Sequence, residues 1–155
     1  MTAYVATRPD SPSRPLPVDP ALRDAVTLLE QAAAELLLDE GRMGSWRFLG
    51  TVLSARKALA NHATACASSR GPLVHIEDAR PRLHNRVHRC LAEHDRLLRM
   101  VDGLITQARS AGPDLDAAAL RRRALNCAVA AAGHGRRVRA TVFEWAYRDI
   151  GGEAG

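Results

Sequence analysis

Residues 83–108, LHNRVHRCLAEHDRLLRMVDGLITQA, carry a pattern that a helix satisfies and a strand does not. Leu83, Val87, Cys90, His94, Leu97, Val101, Leu104 and Ala108 are spaced alternately four and three residues apart. That spacing puts them on one face of a helix and suits packing against other helices at bundle angles. Pro81 stands where a first helical turn tolerates it. Farther along, Leu120, Ala124, Cys127, Ala131, His134, Val138, Thr141 and Trp145 repeat the spacing before Gly151-Gly152. Each seam contains one histidine.

Two more helices precede these. Asp19-Pro20 reads as an N-cap followed by proline at the first helical position, and Leu22, Val26, Leu29, Ala33 and Leu36 recur at helical spacing up to Gly41. Gly44-Ser45 reads as a break and cap. Trp46, Leu49, Val52 or Leu53, Leu59, Ala63 and Cys66 then form a stripe that fades at Ser68-Ser69-Arg70-Gly71-Pro72. Leu73 to Arg80 reads as a stray turn, and Ala111-Gly112-Pro113-Asp114 as a stop followed by a cap. Helices are therefore predicted near residues 20 to 40, 46 to 69, 82 to 110 and 114 to 149. No alternating β-branched runs or hairpin turns interrupt them. Short connections make an all-α, up-down-up-down four-helix bundle the simplest architecture. It would span residues 19 to 152, preceded by a disordered tail, residues 1 to 18, holding Pro9, Pro12, Pro15 and Pro17.

A chain of 155 residues with 46% hydrophobic content is long enough to bury a core as one domain. No apolar run reaches the length of a membrane span, and the start lacks a hydrophobic signal core, so a soluble cytoplasmic protein is expected. Cys66, Cys90 and Cys127 lie within helical patterns and are expected to be reduced thiols. The net charge of +5 comes almost wholly from arginine, Lys57 being the one lysine. Runs such as Arg121-Arg122-Arg123 read as solvated helix faces, not as a nucleic-acid surface. Nucleophile-base signatures, phosphate loops and cofactor fingerprints are all missing, so no catalytic residues are assigned.

Of the six histidines, His62, His94 and His134 fall on or beside three different predicted buried stripes. About the Gly112-Pro113 connection, His94 and His134 are offset by about three residues, or roughly 4.5 Å, and can share a layer. His62 and His94 stand roughly 12 Å from flush across the 67–81 connection, less if helix 2 runs past Ser68. Each imidazole is either a hydrogen-bonded core residue or a ligand. The i,i+4 pairs His62/Cys66 and Cys90/His94 each share a helix face, and together make a candidate Cys2His2 zinc set. Gly133 and Gly135 flank His134 and leave room beside it for a ligand or a close helix. His84 and His88 read as a solvated pair, and His75-Ile76-Glu77-Asp78 as a cap or ion pair.

The segments Ala79-Arg80-Pro81-Arg82-Leu83, Leu91-Ala92-Glu93-His94-Asp95-Arg96-Leu97-Leu98 and Val101-Asp102-Gly103-Leu104 resemble a helix of the hemerythrin-like, or HHE cation-binding, family. Its four-helix bundles hold two irons through inward His, Asp and Glu side chains. His134 with Glu144 to Gly152 resembles the last helix of small actinobacterial proteins grouped with that family, and the likeness runs from Ser45 to Gly152. It implies a cation site, with Glu93-His94 as the motif carried over. The chain departs from the family where the diiron site needs ligands. Helix 1 offers Asp24, Glu30, Glu35, Asp39 and Glu40 but no histidine, His62 is followed by Cys66 where a glutamate belongs, and Val138 and Arg139 stand where acids belong after His134. The resemblance thus implies a modified site drawn from His62, Glu93, His94 and His134, with Cys66 and Cys90 near, taking iron or zinc, or none. The alternative is a metal-less interaction protein whose histidines only pack.

Overall fold

The computed structural model describes residues 19–38, 42–79, 81–110 and 116–147, and among these every element is helical. The helices are α1 (Pro20–Leu38), α2 (Arg42–Ala67), α3 (Pro72–Ala79), α4 (His84–Ser110) and α5 (Ala117–Tyr147), with a single 3-10 turn at Pro81–Leu83 before α4. Four are long and one is short. The proline-rich segment 1–18, the Asp114 cap and Gly151-Gly152 lie outside the described residues.

The four long helices close a ring. α1 packs against α2 and α5, and α4 packs against the same two from the other side. Inside the ring, both quoted seams are turned to the core. Leu83, Val87, Cys90, His94, Leu97, Val101 and Leu104 are buried, as are Leu120, Ala124, Cys127, Ala131, His134 and Thr141. Fully buried side chains such as Leu29, Phe48, Leu104 and Leu120 each contribute about 1.5 to 3 kcal/mol by leaving water.

Four readings of the sequence need correcting. α2 is already helical at Arg42, so Gly44-Ser45 lies within its first turn and breaks nothing. Its core face is Phe48, Val52, Ala55, Leu59, His62 and Cys66, again four and three apart, while Trp46 is 70% exposed. Bulk pointed to Trp46; the phase set by Val52, Leu59 and Cys66 selects Phe48. Residues 72 to 79 form a helix instead of a stray turn. Finally, Asp116 caps α5, its Oδ1 accepting the Ala119 N–H at 2.8 Å.

The short α3 explains how α2 and α4 are joined. Gly71 makes the turn out of α2, its N–H donating to the Ser68 carbonyl at 2.7 Å. A Cβ there would lie 2.5 Å from the Cys66 carbonyl oxygen, so a side chain is excluded. α3 then lies against α2, α4 and α5. Its Leu73 and Ile76 join Cys66, Leu83, Val87, Cys90 and Val142 in a second core cluster, separate from the main one that runs from Leu22 to Ala131. No helix among the described residues is long and apolar enough to cross a membrane.

Candidate metal centre

Between the two apolar clusters lies a layer of three buried imidazoles, His62 from α2, His94 from α4 and His134 from α5. Their ring centroids stand 5.0 Å (His62–His94), 5.2 Å (His62–His134) and 4.6 Å (His94–His134) apart, each pair edge to face. The register expected for His94 and His134 matches this layer. The 12 Å gap expected for His62 does not exist, because that reckoning turned the chain directly between α2 and α4. The connection is instead a helix, and α4 starts about 7.5 Å beyond the end of α2 if His62 and His94 are level.

Two of the imidazoles are gripped from outside the layer. Asp19 Oδ2 accepts from His62 Nδ1, while Asp19 Oδ1 accepts the Ala21 N–H at 3.0 Å and caps α1. Glu93 Oε2 lies 2.8 Å from His134 Nδ1 and also accepts from Arg137 Nε at 3.0 Å. Burial works against charge on Glu93, but the hydrogen bonds from His134 and Arg137 outweigh it and hold the carboxyl below its usual range. Each long helix thus contributes to the layer, α1 through its cap.

Those grips decide which ring atoms face inward. A carboxylate only accepts, so each gripped Nδ1 carries a hydrogen, and in a neutral ring Nε2 then presents a bare lone pair. The two Nε2 atoms face each other at 3.1 Å. His94 Nε2 is buried with no hydrogen-bond partner. Burial, and then the neighbouring His134 and His62, push His94 down to about 4, and burial also lowers His134. Two ring nitrogens set face to face beside a buried third with no partner are an electrostatic defect that a cation would relieve.

Sulfur lies at the same place. Cys66 Sγ is 3.7 Å from His62 Nε2, and the donor atoms of His62, Cys66 and His94 all fall within 4.8 Å of one another, close enough to hold a metal ion. Burial, then the charge of Asp19, push the Cys66 thiol up to about 11. A bound cation would reverse that and favour the thiolate. Two nitrogens on one tetrahedral zinc stand ~3.3 Å apart, and a nitrogen and a sulfur ~3.6 Å. The observed 3.1 and 3.7 Å are near both.

Cys90 is buried one turn before His94, but its thiol bonds to Thr141; neither it nor His134 is in the group of mutually close donors, His62, Cys66 and His94, and His134 meets that group through His62 Nε2 at 3.1 Å. Glu93 faces the outer nitrogen of His134, not the layer's centre. His84 and His88 pair at 4.2 Å between centroids on the exposed side of α4, and His75 is exposed on α3. Comparison with known protein families, curated proteins and solved structures finds no match for the chain. Its chemistry must be read from the residues themselves. Two residues escaped the sequence reading, Asp19 because a cap uses one carboxylate oxygen and the other was not followed, and Arg137 because it looked like one more surface arginine.

Proposed function

We propose that this chain is a metal-binding helical bundle that holds one divalent ion of the zinc type. Nε2 of His62, His94 and His134 are the nitrogen donors and Cys66 is the fourth ligand. The observation that carries this reading is the inward convergence of three imidazoles, two fixed by carboxylates on their outer nitrogens and the third with a buried, unpartnered Nε2. Metal-ligating histidines characteristically give their other N–H to a carboxylate, which sets the tautomer and raises ligand basicity. Neutral imidazoles with one thiolate suit zinc better than hard-oxygen cations.

The scaffold of this reading is the up-down-up-down bundle. Support comes from the pairs Asp19–His62 and Glu35–Thr51 between α1 and α2, Arg56–Asp102 and His62–His94 between α2 and α4, and Gln107–Arg123, Glu93–His134 and Arg86–Glu144 between α4 and α5. In each, numbering rises on one helix as it falls on the other. Kinship with hemerythrin-like bundles remains part of the proposal, in a form reduced to one ion. Asp19 and Glu93 are occupied with Nδ1 atoms and cannot bridge two irons in this arrangement. The role is non-catalytic, because four protein ligands leave no open position for substrate.

The test is elemental analysis of protein purified from cells supplied with zinc and iron. About one zinc per chain is expected in the wild type, and none in His94→Leu, whose helices remain intact by circular dichroism. Equal, non-zero metal in both would remove His94 from the site. A metal-free wild type that takes up none would overturn the reading.

A further inference from the structure

Asp19 does two jobs with one carboxylate. Its Oδ1 caps the first turn of α1 through the Ala21 N–H, and its Oδ2 takes His62 Nδ1. We infer, resting on the zinc-site reading, that metal occupancy controls the docking of the α1 N-terminus: the ion sets the tautomer of His62, and the tautomer decides whether Asp19 is held. The protein then reports its metal as well as holding it.

The argument begins with the state lacking an ion. With one hydrogen on each ring, His62 and His134 cannot both keep it on the Nδ1 that faces a carboxylate, because their Nε2 lone pairs would then oppose each other at 3.1 Å. One neutral ring must turn its hydrogen inward and donate from Nε2 to the other, which breaks its own carboxylate bond. The two ends differ in what they lose. Glu93 is held by Arg137 as well as by His134, and His134 has no solvent exposure. Asp19 is 31% exposed and can turn its Oδ2 to water. The Asp19 end therefore yields.

Without metal, His62 carries its hydrogen on Nε2, donates to His134, and shows Asp19 a lone pair. With metal, Nε2 is a ligand, the hydrogen sits on Nδ1, and Asp19 is drawn back to grip α1. The Asp19–His62 contact is the arrangement that ligation at His62 Nε2 requires. α1 begins one residue after Asp19, so the change is delivered to the helix start.

Two measurements on the full chain, metal-free and with zinc added, test this. Hydrogen exchange of the amides from Ala21 to Asp24 is expected to slow by about three- to tenfold on zinc addition, the effect of securing an N-cap. Two-bond proton–nitrogen spectra of the imidazoles should show the His62 hydrogen moving from Nε2 to Nδ1. In Asp19→Ser the single hydroxyl can cap α1 but cannot also hold His62. This variant should bind zinc more weakly, by about 10- to 100-fold, and at saturating zinc its exchange at residues 21 to 24 should no longer respond. If wild type takes up zinc and those amides do not change, or if His62 already carries Nδ1–H without metal, the coupling is wrong and the metal site stands. If no zinc is taken up, the site reading fails and the coupling with it.

Discussion

His94 and Asp19 show what single residues reveal and conceal. His94 stood out in the sequence because a histidine at a position that spacing assigns to the core must be accounted for, and the structure buries it without a partner for Nε2. Asp19 was legible as a cap, but its bond to His62 links residues 43 positions apart and has no local signal. The burial of His94 has a pH consequence in metal-stripped protein. Its folded value of about 4 lies below the ordinary 6.5, so between those values the unfolded chain binds a proton that the folded chain refuses. Stability therefore falls as pH drops from about 6.5 toward 4. His134, also lowered, adds to the effect. The groups facing His94 are His62 and His134, with Asp95 and Glu93 farther off opposing the shift. Glu93, whose carboxyl is also lowered, has a linkage of the same sign: its stabilisation, present above the ordinary carboxylate range, is lost at lower pH still. Urea midpoints should be flat above neutrality and decline below pH 6.5, and His94→Leu should flatten part of that decline. Superimposable profiles for the two proteins would refute this account.

Among the elements, the two long seams were readable because side-chain burial repeats at a fixed period and needs no knowledge of the partner. The seam of α2 was equally regular, and Trp46 obscured it by bulk alone. α3 was not readable. Eight residues beginning at a proline are too short to show a period, and what holds them is burial of Leu73 and Ile76 against distant parts of the chain. Gly135 is another feature whose meaning lies between elements. Room beside His134 was expected for a ligand or a close helix, and the structure gives it to a helix, since a Cβ on Gly135 would lie 2.9 Å from Leu22 Cδ2 of α1. Leu22 is three residues from Asp19, so that contact also sets where the cap can reach His62. Gly135→Ala adds helix propensity worth up to about 1 kcal/mol, yet must displace Leu22 in a packed core. The clash is expected to win, with a net loss of about 1 kcal/mol or more by chemical denaturation and weaker zinc uptake. A variant as stable as wild type would show that α1 is free to shift.

For the molecule as a whole, the histidine layer divides the core, with the large apolar cluster on one side and the α3-covered cluster on the other. Without a cation, that layer leaves the unpartnered His94 Nε2 in the middle of the fold, which costs stability. With zinc, the same atoms tie α2, α4 and α5 together directly, and α1 through Asp19. The two states should therefore rank wild type and His94→Leu in opposite orders. In chelator, leucine at position 94 continues the seam of Val87, Cys90, Leu97 and Val101, so the variant should melt no lower than wild type, and higher if its larger side chain is accommodated. At a zinc concentration 100 times the dissociation constant, wild type gains about 2.7 kcal/mol. For a domain of this size that is roughly a 5 to 11 °C rise in melting temperature. The variant, lacking a nitrogen ligand, should gain much less, so wild type now melts higher. This inversion separates a ligand from a core histidine, because a purely structural imidazole would keep one order in both conditions. Calorimetric scans of both proteins in chelator and in zinc measure it directly. Equal zinc-induced shifts in the two proteins, or none in either, would count decisively against a metal held at His94.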